Sequence, residues 1–279
     1  MSVRAHRDFG RIARIAVLVL AVAVALFPFW WMIVTSLKHP VDIFEGVQLW
    51  PQHVTFDNYT RLFTRDNMGA FLLNSSIVVL GSVTLSMTLG TLAACALARF
   101  RLPFGLNERA LVASLLVRMV PAVILIIPLY ITLGQLHLLD TRLGVLLIET
   151  GLNTSFVIWM MQSFLAEIPR EIQEAARVDG DTQLSAIRRV VLPLAAPGLA
   201  ATAIFSVINV YNDFVIPLTV TSTPRAQTVP VGVSTFIGKI QTEWGPLAAA
   251  ATIGTLPIMI FALLVQRHFV RGLTMGAVK

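Results

Sequence analysis

The feature that most constrains this chain is the recurrence of apolar runs close to the ~20 residues that a helix needs to cross a bilayer. Six stand out, at residues 15–37, 72–97, 110–133, 143–164, 197–220 and 247–265. Charged residues are only 13% of the 279, against roughly one quarter in a soluble domain. The expected fold class is therefore all-α and integral to the membrane, with six transmembrane helices. On this reading residues 1–14 form an N-terminal segment, 15–265 a six-span domain and 266–279 a C-terminal tail. The first run is not a cleaved signal peptide, because it is too long and ends in Phe29, Trp30 and Trp31 rather than small residues. Those aromatics suit a bilayer interface.

The loops alternate in basic content. Arg4, Arg7, Arg11, Arg14, Arg99, Arg101, Arg109, Arg170, Arg177, Arg188, Arg189, Arg267, Arg271 and Lys279 place fourteen cations on one side. Lys38, Arg61, Arg65, Arg142, Arg225 and Lys239 place six on the other, and Arg118 falls inside the third run. The positive-inside rule puts both termini in the cytoplasm. Residues 38–70 then form a partly ordered external loop. The net charge of +6 is spread over loops, so it reports topology and implies no nucleic-acid partner. The single cysteine, Cys95, lies in an apolar run and reads as a packed small residue. Pro121 and Pro128 are expected to kink the third span.

The most informative stretch is residues 167–197, EIPREIQEAARVDGDTQLSAIRRVVLPLAAP. It reads as a short helix, a glycine break and a second short helix. Pro169 suits the first turn, and Glu171 and Glu174 favour the start of the helix dipole. Ala175 and Ala176 leave a close-approach surface, Gly180 permits a sharp turn, and Asp181 is placed to cap the second helix. Leu184, Ile187 and Val191 give one apolar stripe. The pattern alone leaves two readings open: a knuckle that docks into a partner's cleft, and an amphipathic loop lying on the bilayer.

Glu174-Ala175-Ala176, three residues, Gly180, nine residues, Val190, one residue, then Leu192-Pro193 resembles the EAA loop of binding-protein-dependent ABC importer permeases. Val190 stands where that family usually has Ile. Asn74-Ser75, Ala96-Leu97-Ala98-Arg99, Tyr211-Asn212-Asp213-Phe214 and the ending Gly272-Leu273-Thr274-Met275-Gly276-Ala277-Val278-Lys279 extend the likeness to the smaller permease subunit of the maltose-type carbohydrate importers. The resemblance implies the type I permease fold, with loop 167–193 as the coupling element and Glu174, Ala175, Ala176, Gly180, Leu192 and Pro193 as its ATPase-coupling residues. It implies a second homologous permease subunit, two ATPase subunits that bind ATP and Mg, and an extracytoplasmic binding protein that delivers a sugar. It also implies the cytoplasmic membrane of a bacterium or archaeon. Related permeases carry glycerol phosphodiesters or polyols, so those remain alternatives for the solute.

The sequence itself is consistent with nucleotide being bound elsewhere. No G-x-x-x-x-G-K-[ST] cradle is present, and the nearest fragment, Gly238-Lys239, is followed by Ile240. This chain is expected to hold no cofactor, no metal and no catalytic residue. Its five histidines, His6, His39, His53, His137 and His268, show no ligand spacing. An enzyme or a stand-alone channel fits the loop spacing poorly.

Polar residues within spans are costly and default to functional candidates. Arg118 and Glu149 are placed to pair. Asn209, Tyr211, Asn212 and Asp213, with Arg118, are the candidate substrate pathway, because sugar hydroxyls suit amides, carboxylates and an aromatic face. Holding the helices together or lining a hydrated gate is the alternative role for all five. Asn74 and Ser75 read either as part of the motif or as caps of the second helix.

Overall fold

The computed structural model describes residues 2–46, 48–238 and 242–275, with side chains from residue 11 to residue 266 within those ranges. Lys239, Ile240 and residues 276–279 of the C-terminal ending lie outside the described residues. The chain divides into two compact units, Met1–Met68 with Val233–Leu256, and Gly69–Gly232 with Pro257–Lys279.

In the first unit, helix α1 (Ser2–Ser36) runs 35 residues. Its stretch Arg11–Ser36 has a mean hydropathy of 2.6 and is almost entirely exposed within the single chain. Pro28 lies inside it without ending it. Near its end the Phe27 and Trp31 rings stack at 6.0 Å, and the Lys38 ammonium sits 5.3 Å from the Trp31 ring while donating to Gln48 O at 2.9 Å. The segment that follows is partly ordered, as expected, through a second helix, α2 (Asp57–Thr64). Buried Asn58 on α2 donates to Ser36 O at 2.9 Å and Lys38 O at 3.0 Å. The first is a carbonyl that the last turn of α1 leaves without a partner in the helix, and the second lies two residues beyond it. Arg61 ties α2 to Asp66 at 3.1 Å and to Glu243.

The second unit carries α3 (Met68–Arg99), a 3₁₀ turn (Pro103–Gly105), α4 (Leu106–Met119), α5 (Ala122–Gln135) and α6 (Arg142–Glu167). Next come α7 (Arg170–Val178), α8 (Gln183–Ala186), a wide turn (Ile187–Val191), α9 (Leu192–Leu194), α10 (Ala196–Asn212) and α11 (Val215–Val220). Helix α12 (Val229–Ser234) and helix α13 (Trp244–Met275) complete the chain. Among the described residues, helices α1, α3, α6 and α13 are unbroken and long and apolar enough to span, and two bent pairs, at 98° and 70°, bring the number to six where each pair counts as one span.

The 98° bend lies between α4 and α5 and follows from Pro121. The residue before a proline is driven out of helical geometry, and Val120 is extended with ψ of 123°. The kink expected of the third span is therefore present at Pro121, whereas Pro128 lies inside a continuous α5. Helix α13 continues to Met275, ten residues past the end anticipated at 265.

Helix α6 is the hub, with α4, α10 and α11 packed on it. Two apolar clusters lie along it. One gathers Val78, Val83, Val145, Ile148, Tyr211 and Ile216, and the other Ala94, Cys95, Val157, Met161, Leu165 and Val191. Cys95 is the packed small residue that the sequence suggests. Small residues let spans approach closely. A β-carbon at Gly90 of α3 would lie 2.6 Å from Val157 Cβ of α6.

Gly90→Val is thus expected to overpack this crossing and destabilise the fold by roughly 1–3 kcal/mol. Gly151→Ala, at a position with nothing within 4 Å, should cost nothing measurable. Thermal unfolding of the two purified variants in detergent checks the contrast.

Candidate functional site

The knuckle at residues 167–193 begins where α6 ends. Ile168 and Pro169 are both extended, with ψ of 117° and 138°. Pro169 therefore precedes α7 as its N-cap rather than lying in its first turn as the sequence suggested. Helix α7 presents Glu171, Glu174 and Ala175 outward, with Ala176 half-buried and Gln173 buried. The chain then reverses through Gly180, whose φ is +101°. Asp179 N donates to Ala175 O at 3.0 Å and Asp181 N to Ala176 O at 3.0 Å, which satisfies the last carbonyls of α7. A β-carbon at Gly180 would meet nothing within 4 Å, so its requirement is conformational rather than steric.

Helix α8 is capped by Thr182, whose hydroxyl accepts from Ser185 N at 3.2 Å. This corrects the assignment of the cap to Asp181. Asp181 instead supports the cap from behind, accepting from Ser185 Oγ at 2.6 Å and from Arg189 at 3.4 Å. The expected stripe is two residues deep rather than three. Ile187 and Val191 are buried, but Leu184, one turn earlier, is 73% exposed. With Val178 at 87%, it gives the knuckle an apolar tip flanked by charge. Leu192 is half-buried and Pro193 exposed.

The polar residues of the spans are arranged differently from the expectation. Arg118 does not pair with Glu149 among the described ion pairs. It lies in the last turn of α4, beside the bend, with its guanidinium 4.6 Å from the Phe156 ring, a favourable cation–π distance. Glu149 is buried, one of its oxygens has no hydrogen-bond partner, and it is close enough to Asp213 to interact electrostatically. Asp213 accepts from Ile216 N at 3.2 Å, so it caps α11 at the break in the fifth span. Tyr211 turns into the apolar core. Asn209 and Asn212 are exposed on α10, and Asn212 donates to Ile208 O at 2.8 Å.

A buried polar knot went unread in the sequence. Asn74 is not a helix cap, since α3 starts six residues earlier at Met68. It is fully buried, donates to Pro224 O at 2.9 Å and Gln227 O at 2.7 Å, and accepts from Arg142 Nε at 2.7 Å. Ser75 accepts from Val229 N at 2.8 Å. Alongside, Asp140 accepts from Ser222 N, Thr223 N and Thr223 Oγ1 at 2.9, 3.0 and 2.7 Å. These bonds pin the segment after α11 to α3 and to the α5–α6 turn. The one available signal was an amide inside an apolar run, and it does not name partners some 150 residues away.

Comparison with known proteins gives this arrangement its class. Residues 86–275 match the family described as "Binding-protein-dependent transport system inner membrane component", and the chain belongs to that family. Its polypeptide is 39% identical over 263 residues to the trehalose transport system permease protein SugB of Mycobacterium tuberculosis (strain CDC 1551 / Oshkosh), covering 93% of this chain and 94% of the relative. It is 33% identical over 273 residues to the trehalose/maltose transport system permease protein MalG of Thermococcus litoralis, covering 96% and 97%. Its fold matches a chain in the crystal structure of a bacterial ABC transporter involved in the import of the acidic polysaccharide alginate. That match has a TM-score of 0.76 at 21% identity and covers 96% of this chain and 99% of the other.

The Asp140 latch makes a pH-dependent contribution. Burial pushes the carboxyl up, but the bonds from Thr223 and Ser222, with Arg225 nearby, outweigh it and hold Asp140 below its usual range. A carboxyl so lowered stabilises the fold above its unfolded pKa and loses that contribution as pH falls through the folded value. The difference in thermal stability between the parent and Asp140→Asn should be constant near neutrality and shrink on acidification below the usual carboxylate range. A difference independent of pH throughout would contradict the role given to the charge.

Proposed function

We propose that this chain is the permease subunit of an ATP-driven importer of a carbohydrate, with the knuckle at residues 167–193 as its coupling element. The observation that carries this reading is the exposed, Gly180-hinged helix pair bearing Glu174-Ala175-Ala176, inside a chain of the binding-protein-dependent family. An apolar tip made of Val178 and Leu184 between charged flanks suits a cleft on another protein better than lipid. Leu192 and Pro193 return the chain to the spans.

The partners on this reading are a second permease subunit, two ATPase subunits that bind ATP and Mg, and an extracytoplasmic binding protein. Both termini and the knuckle lie in the cytoplasm. Asn209 and Asn212, exposed on one helix, are the pathway residues best placed to meet hydroxyls. Tyr211 and Asp213 shape the helix break beside them, and Arg118 stands at the bend of the third span. The sugar class rests on the trehalose and maltose transport named in the relatives. Nucleotide-driven closure of the ATPase pair would move two coupling elements together and bias the permease pair between inward- and outward-open states.

Reporters placed after Lys279 or near Ala186 should be cytoplasmic, and one near Gln52 external. Gly180→Val would force a β-branched side chain into positive φ, at a local cost of about 1 kcal/mol or more. That is small for a six-span bundle and large for a knuckle that must dock at one angle. The variant should insert normally, and should co-purify less ATPase subunit or lose binding-protein-stimulated hydrolysis. An external Ala186 reporter, or normal stimulated uptake with Gly180→Val, would remove the basis for the coupling assignment.

A further inference from the structure

We infer that Arg99 and Arg170 are positioning residues that join the coupling helix to the membrane spans, so that displacement of α7 is delivered to α3 and α6 together. The inference rests on the reading of α7 as the element that meets the ATPase.

The last carbonyls of a helix have no partners within it, and cationic donors are favoured there by the helix dipole. In this chain the donors come from neighbouring elements in a crossed pattern. Arg99, the last residue of α3, donates to Leu165 O at 2.9 Å and Ile168 O at 3.1 Å, at the end of α6. Arg170, the first residue of α7, donates to Ala98 O at 3.0 Å, at the end of α3. Helix α7 is therefore fastened to α6 through the two-residue link Ile168-Pro169 and to α3 through the Arg170 guanidinium. Helix α3 is in turn fastened to α6 through Arg99.

Capping from the loop that follows α3 serves only part of its end, and Ala98 O is left to Arg170. Asn107 already serves Leu97 O at 2.7 Å and Phe100 O at 2.8 Å while accepting from Leu102 N at 2.9 Å. The two arginines lie close enough for their charges to oppose each other, so charge alone would separate them, and the carbonyls hold them in place. Arg99 Nε is buried without a hydrogen-bond partner. Charge-assisted bonds to carbonyls are among the stronger links available at such a point.

The test uses the assembled transporter in liposomes, with Arg99→Ala, Arg170→Ala and the corresponding lysine variants. Four quantities are measured: ATPase subunit retained, basal hydrolysis, binding-protein-stimulated hydrolysis, and solute taken up per ATP. The alanine variants should retain the ATPase and its basal rate. Their uptake per ATP should fall on the order of tenfold, within the usual range of coupling between sites. Lysine, which keeps a cationic donor at each helix end, should recover at least half of the parental ratio. Uptake per ATP within twofold of the parent in both alanine variants would overturn the inference. Loss of the ATPase subunit from them would overturn it too, since the bonds would then hold the knuckle in shape for docking rather than deliver its displacement to the spans. A parent complex without binding-protein-stimulated hydrolysis would instead defeat the underlying functional reading, and that failure is seen before any variant is compared.

Discussion

A backbone carbonyl without a donor inside a bilayer costs roughly several kcal/mol, and this chain breaks its helices often enough for that cost to govern its arrangement. Several helix ends are met by a side chain, while the bend at Pro121 and the reversal at Gly180 are closed by backbone bonds alone. Asn58 serves the end of α1, Asn107 and Arg170 the end of α3, and Arg99 the end of α6. Thr141 opens α6 by accepting from Gly144 N at 3.0 Å, and Asp213 opens α11. The polar residues at the ends of the apolar runs thus satisfy backbone groups where spans end, and Asp213 does so at a break within one. Several residues that look like a ligand site in the sequence are already engaged in this work.

That engagement bears on how the pathway residues divide. Asp213 and Asn212 both hold backbone groups of α10 and α11, and Tyr211 lies within the core. On the proposed function, the exposed side chains of Asn209 and Asn212 are the ones left to meet a solute at this break. Glu149, buried with one oxygen unpartnered, interacts electrostatically with Asp213.

What the sequence revealed was what depends on neighbours along the chain. Apolar run length located the spans, Pro121 located the bend because it acts on the residue before it, and Gly180 located the reversal because only its own φ matters. The misreadings share a different cause. Asp181 and Thr182 are both good caps, and the choice between them was made by Ser185 and Arg189, which occupy the carboxylate. Leu184 keeps helical spacing with Ile187 and Val191, but the core ends before reaching it. Asn74, Arg99 and Arg118 find partners 66 to 153 positions away or, for Arg118, on the face of another span. Periodicity carries no information about such pairings.

Two exposed apolar surfaces in this chain call for different surroundings. The apolar stretch of α1, at a mean hydropathy of 2.6 over 26 residues, can be satisfied by lipid alone, since hydrocarbon is as apolar as its side chains. The tip formed by Val178 and Leu184 cannot be treated in the same way. It stands between Arg177, Asp179, Arg188 and Arg189, and burying those charges in hydrocarbon would cost more than two aliphatic side chains return. A protein surface with an apolar cleft and a charged rim satisfies both kinds of group at once. On the proposed function, that mixture of aliphatic and charged groups is what a partner's cleft would have to match. The crossed arginine bonds at its base give such a contact a direct path into α3 and α6.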